Sequence, residues 1–230
     1  MSLTRLNRTA ATLTKNRTEG SIVSISGMCV TCVDGCIGMC EIGKSAFRVN
    51  EWGVPGVETW SLLYQYLDRY AKKGKYINGC SNSGRFTFED QIFKGLALGA
   101  PYFKLIGMAR SPLAAAMVGK TIGKIIEEGQ IPVFVERFGN TIDEIFITAP
   151  ELGKELGKDF DEVPTGAIGL YTYIKRLEQG LKQLMAGNRK FSLDYITRDD
   201  IVAITKEAAE ISGMAYVMDI DKEQVDKLLD

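Results

Sequence analysis

The chain has 230 residues and a mass of 25.4 kDa, enough for one large domain or two small ones, with a core that needs no covalent staples. Its 28 Lys and Arg against 29 Asp and Glu leave a formal charge of −1, which argues against wholesale binding to nucleic acid or to an anionic membrane. Histidine is absent, so Ser-His-Asp and Cys-His catalysis, imidazole metal ligands and a histidine general base are excluded within this chain.

Residues 1–21 are rich in Thr and Arg, lack apolar periodicity and read as a surface arm. Its charges at Arg5, Arg8, Lys15 and Arg17 accompany no apolar core of a secretory signal. Residues 22–25 (IVSI) predict a short strand. Cys29, Cys32, Cys36 and Cys40 then fall within twelve residues. No apolar run reaches the roughly 18 residues of a membrane span. The expected location is the cytoplasm, where clustered cysteines suggest metal before disulfide. Thiolates at this spacing suit an iron–sulfur cluster or zinc. Free or disulfide-linked thiols are a further reading. So is a helix that carries all four cysteines on one packed face, although Asp34, Gly35 and Gly38 favour a ligand loop over a continuous helix.

From residue 57 the pattern becomes regular. Leu62, Leu63, Tyr66, Leu67 and Tyr70 share one face of a helix expected over 57–73, which Gly74 stops. Residues 76–80 predict a weak strand, followed by a Ser/Asn/Gly loop at 81–84. A helix over about 87–98 takes Thr87 as N-cap, with Glu89 and Asp90 in its first turn. Residues 102–106 (YFKLI) predict a buried strand, in which Lys104 faces either a bound group or solvent. Residues 111–128 predict a helix with Pro112 in its first turn. The order helix, strand, helix, strand, helix is that of a parallel α/β sheet or barrel. Beyond residue 135 the chain reads as a helical extension, with helices over 166–186, 197–212 and 221–229.

Two loops carry the sharpest local chemistry: Cys80-Ser81-Asn82-Ser83-Gly84-Arg85-Phe86 and Gly107-Met108-Ala109-Arg110. In a parallel α/β unit both follow strands at the edge where ligands bind. Small residues admit an anion to backbone N–H groups, and Arg85 or Arg110 can pair with phosphate oxygens. Cys80 reads as a buried small residue.

The stretches EWGVPGVETWSLLYQYL and SNSGRFTFEDQIFKGLALGAPYFKLIGMARSPLAAAMVGKTIG, within residues 51–123, resemble the end of the FMN-binding barrel domain of glutamate synthase. DQIFKGLALGAPY is the most specific piece, and MCVTCVDGCIGMCEIGKSAFR at the front is similar to the shorter, archaeal-type branch of that family. The resemblance implies part of a TIM-type (β/α)8 barrel. It also implies that Ser83, Gly84, Arg85, Gly107, Met108, Ala109 and Arg110 surround an FMN phosphate. The division it implies is an arm with the cysteine cluster over 1–48, the C-terminal part of the barrel over 51–135, and a helical extension over 136–230.

The implied activity is flavin-dependent reduction of 2-iminoglutarate, formed from 2-oxoglutarate and ammonia, to glutamate. A related FMN oxidoreductase with another substrate and a non-catalytic metal-binding or scaffold module are the alternatives. Most of such a barrel would lie between Arg48 and Glu51, so Phe47–Glu51 reads as a splice. Residues 111–135 lack the iron–sulfur cysteines of the larger bacterial enzymes. No N-terminal nucleophilic cysteine is present, so glutamine hydrolysis falls to an amidotransferase subunit and reduction to an electron-donor partner. An oligomer acting on a small molecule is expected, with no nucleic acid and no membrane.

Overall fold

The computed structural model describes residues 28–33, 36–41, 56–76, 80–83 and 86–230. The arm, the strand expected at 22–25, the Phe47–Glu51 junction and the loop residues Gly84 and Arg85 lie outside the described residues. Among the described residues helices predominate. In chain order the elements are β1 (Met28–Val33), β2 (Cys36–Glu41), α1 (Gly56–Lys72), β3 (Cys80–Ser83), α2 (Glu89–Gly99), β4 (Phe103–Gly107) and α3 (Arg110–Glu127). Then come α4 (Val133–Glu136), α5 (Ile142–Ile145), α6 (Ala149–Leu156), α7 (Thr165–Gly187), α8 (Lys206–Ser212) and α9 (Lys222–Leu229). β1 and β2 form an antiparallel pair, β3 and β4 a parallel pair with α2 as the crossover. The alternation expected over 57–128 is therefore the order found, with two parallel strands among the described residues.

The chain divides into two compact units. The first takes the described residues up to Phe86, together with Gln91–Gly107 and Met185–Asp230. The second takes Thr87–Asp90 and Met108–Leu184.

In the first unit α1 buries Trp60, Leu63 and Leu67, the stripe that a helical period predicts. Gly74 ends it with φ 72°, and Lys75 N donates to Tyr70 O at 3.0 Å, a left-handed stop that only glycine adopts without strain. Trp60 stacks on Phe86 with centroids 5.0 Å apart. Tyr102 lies between Tyr64 and Tyr76, at 5.7 and 5.6 Å, and donates its hydroxyl to Asp68 Oδ1 at 3.3 Å. Lys72, 2.7 Å from Asp68, is the main reason that the carboxyl is held below its ordinary range.

Arg198 joins three parts of this unit. Its guanidinium lies 4.0 Å over the Tyr64 ring, Nη1 donates to Leu98 O, and Nη2 donates to Ser212 O at 2.6 Å. Leu98 and Ser212 stand in the last turns of α2 and α8, where unpaired carbonyls concentrate negative charge. One cation therefore caps two helices and covers an aromatic ring of a third.

Three expectations need correction. Of the weak strand expected over 76–80, residue 76 is not strand, residues 77–79 lie outside the described residues and Cys80 belongs to β3, and Ser81–Ser83 are extended rather than looped. Pairing with Leu105–Gly107 overrides the low strand propensity of Ser and Asn. β4 buries Phe103 but exposes Lys104 and Leu105, because the Lys104 ammonium reaches Asp194 Oδ1 at the surface, 2.8 Å away. The helix expected over 197–212 is broken. Asp200 Oδ2 accepts from Thr197 N at 2.7 Å and closes a 3-10 turn over Arg198–Asp200. Ala203 then bridges Tyr216, and Thr205 caps α8 by accepting from Ala208 N at 3.1 Å.

In the second unit α3 and α7 approach along small residues. A Cβ on Gly119 would lie 2.7 Å from Thr165 O, and one on Gly169 would lie 2.8 Å from Gly119 Cα. These separations are far inside van der Waals contact, so the two backbones fix the glycines. Phe146, Ala149 and Ile168 form a core against Ile122, Ile145, Leu152 and Phe160. Ahead of it, Glu144 Oε2 accepts from Asn140 N at 2.8 Å and from Thr141 N at 3.2 Å, and Thr141 Oγ1 accepts from Glu144 N at 3.3 Å. This reciprocal cap starts α5, and the Asn140 amide chiefly holds the Glu144 carboxyl below its usual range.

Gly119→Ala and Gly169→Ala are each expected to destabilise the protein by about 1–3 kcal/mol through overpacking, although alanine is the better helix former. Gly187→Ala, with nothing within 4 Å of its added Cβ, should be neutral or mildly stabilising; denaturant melts of the three variants check this. Burial, and then the Asp68 charge, push the Tyr102 phenol up to about 12. A raised folded-state value favours the neutral form, so this contribution to stability is whole below about pH 10 and is lost as pH rises toward the folded-state value. An ultraviolet phenolate titration of wild type minus Tyr102→Phe should show one late step near 12.

Candidate functional site

Parallel register sets Cys80 opposite Phe103, Ser81 opposite Leu105, Asn82 opposite Ile106 and Ser83 opposite Gly107. β3 and β4 thus end together in the first unit, and the edge beyond the carboxyl ends of parallel strands is where α/β proteins bind ligands. Of the seven residues expected to surround a phosphate, this pairing brings Ser83 and Gly107 side by side. The first loop contributes less than its sequence suggests, because Cys80–Ser83 belong to the ladder. Gly84 and Arg85 lie outside the described residues.

Met108, Ala109 and Arg110 belong to the second unit. Ala109 is the N-cap of α3 and Arg110 its first residue. No side chain caps this end, and its first turn holds no acidic residue. The positive end of the helix dipole therefore meets no carboxylate of its own first turn, an arrangement compatible with an anion. The start of α2 differs, since Glu89 and Asp90 occupy its first turn.

Thr87, expected as the N-cap of α2, stands two positions before the first helical residue, Glu89. Its hydroxyl lies 3.1 Å from Ser111 Oγ in the first turn of α3, and its carbonyl accepts from Tyr173 Oη at 2.6 Å. Within the second unit the approach to α2, the start of α3 and the middle of α7 are thereby tied together.

Among the described residues two buried side-chain polar atoms have no hydrogen-bond partner: Trp60 Nε1 in the first unit and Glu89 Oε2 in the second. Sequence reasoning missed both. A tryptophan on the apolar stripe of an amphipathic helix reads as core, and an acidic residue in a first turn reads as a dipole partner. The orphaned atoms emerge only from packing.

The cysteine segment is an antiparallel ribbon, not the helix or ligand loop that its sequence suggests. Cys29 stands opposite Cys40, Cys32 opposite Ile37 and Cys36 opposite Val33. At about 3.3 Å per residue, Cys36 and Cys40 lie about 13 Å apart along one strand. The ribbon register therefore does not gather the four positions around one ion. Among the described side chains, no group of three or more Cys, Asp or Glu is assembled for a metal.

No family model matches the chain, and neither a curated protein nor a solved structure does. Among the described residues no helix is long and apolar enough to cross a membrane.

Tyr173→Phe removes the 2.6 Å bond to the Thr87 carbonyl. An expected loss of about 0.5–1.5 kcal/mol, measured by denaturant unfolding, would match the role of this phenol in holding the start of α2.

Proposed function

We propose that the chain binds FMN and serves flavin-dependent redox chemistry of the glutamate synthase type, reducing 2-iminoglutarate to glutamate. In this reading β3–α2–β4–α3 is part of a (β/α)8 barrel, and Ser83, Gly84, Arg85, Gly107, Met108, Ala109 and Arg110 hold the phosphate. The observation that carries it is the pairing of Ser83 with Gly107 at the common end of two parallel strands, in the two loops that the family resemblance singles out.

The residues present suit such a group. Gly107 has no side chain to obstruct an approaching oxygen. Arg110 supplies a fixed positive charge at the first position of α3, whose N-terminus has no side-chain cap. When bound, the flavin supplies the two-electron reduction, and the protein binds and orients it. Ammonia and electrons reach the site from an amidotransferase and an electron-donor subunit, within a cytoplasmic oligomer. An iron–sulfur cluster or zinc at Cys29, Cys32, Cys36 and Cys40 belongs to the same reading, but it requires the ribbon to rearrange, and no step here depends on it.

The test begins with flavin binding by the full chain. FMN should bind more tightly than riboflavin, which lacks the phosphate. Arg110→Ala should weaken FMN by about 10- to 100-fold, the value of a charge-assisted bond, and leave riboflavin nearly unchanged. The chemically reduced complex, held anaerobically, should then regain its yellow colour with 2-oxoglutarate and ammonium together and not with 2-oxoglutarate alone. Failure to bind FMN would overturn the flavin reading; binding without reoxidation by that pair would overturn the substrate.

A further inference from the structure

We infer that Cys29 and Cys40 are a reversible dithiol–disulfide pair, oxidised by a small-molecule disulfide of the glutathione type. The observation that carries it is the register of β1 and β2, which sets these two positions directly opposite each other. Opposite residues of an antiparallel pair share a face, with Cα atoms about 4.5 or 5.5 Å apart according to their place in the hydrogen-bond pattern. A disulfide spans about 4.4–6.8 Å between Cα atoms, so either place admits a bridge.

The same register excludes the other pairings within the segment. Positions alternate between the two faces of a strand. Cys36, opposite Val33, therefore shares the face of Cys29 and Cys40, but it stands four positions along β2 from Cys40, about 13 Å away. Val33 is as far from Cys29 along β1. Cys32, opposite Ile37, lies on the other face. The spacing of Cys29 and Cys32 is that of a redox C-x-x-C motif, yet β1 sets them about 10 Å apart on opposite faces. One bridge forms, and it takes two of the four thiolates that a metal centre here would use. Oxidation and metal binding by these cysteines exclude one another. The inference stands apart from the flavin reading.

In the oxidation one thiolate attacks a sulfur of the oxidant and expels the other half, which leaves a mixed disulfide. The opposite thiolate then attacks the protein sulfur of that adduct and expels the second half. Two protein S–H bonds become one S–S bond, the S–S bond of the oxidant becomes two S–H bonds, and two electrons and two protons pass to it.

The test treats the full chain, reduced and stripped of metal by a chelator, with oxidised glutathione and reads its intact mass. The chain should lose two hydrogens and regain them with dithiothreitol. Cys32→Ser/Cys36→Ser should bridge as the wild type does. Cys29→Ser and Cys40→Ser should each lose the bridge and retain glutathione on the cysteine left without its partner. Cyanogen bromide cleavage of the oxidised wild type after Met28 and Met39 gives a piece 29–39 that should stay joined to the piece beginning at Cys40 until reductant is added. This readout needs no variant, so a variant that folds poorly leaves the test intact. Absence of a bridge, a bridge that persists in Cys29→Ser or Cys40→Ser, or separation of the two pieces without reductant would overturn the inference.

Discussion

Parallel pairing of Cys80–Ser83 with Phe103–Gly107 is the constraint from which the arrangement of the first unit follows. Two strands can run side by side in the same direction only if the chain travels back between them, and a helix is the compact way to do so. α2 makes that return and buries Phe93, Leu96, Ala97 and Leu98. Its last residue, Gly99, packs against the Phe103 ring with no room for a side chain. The strands then end level, and everything proposed about ligands depends on that shared edge.

Each unit is secured by a different kind of contact. In the first, charge does much of the work: half-buried Arg198 satisfies carbonyls at two helix ends and lies over Tyr64. Desolvation lowers its basicity, yet an arginine remains charged in any folded protein. In the second, the absence of side chains matters most. Gly119 and Gly169 let α3 and α7 meet backbone to backbone, and Thr148 and Thr172 share a 2.7 Å hydroxyl contact between the loop before α6 and the middle of α7.

The local periodicities were legible in the sequence. Leu63 and Leu67 marked the buried face of α1, Gly74 its end, and Gly213, with φ 66°, the end of α8. Features set by partners distant in the chain were not. Ser81–Ser83 have loop composition and become strand because β4 lies alongside. The expected helix over 197–212 fails because Thr197, Asp200 and Thr205 offer hydrogen bonds that compete with the helical ladder. For the cysteines, spacing alone does not distinguish a helix face from a strand, and it is the extended rise of β2 that separates Cys36 from Cys40. At the candidate site the two loops were visible as small residues flanking apolar runs. The orphaned indole of Trp60 was not, because satisfaction of a donor is a property of packing.

The bond from Arg198 to Leu98 spans 100 positions, and the larger segment of the second unit, Met108–Leu184, lies between them in the chain. Synthesis from the N-terminus therefore finishes the two bodies out of sequence. By the time Leu184 has been made, the second unit has every residue it needs, whereas the first still lacks the guanidinium that closes two of its helices. The body begun earlier on the ribosome is the later one to be completed.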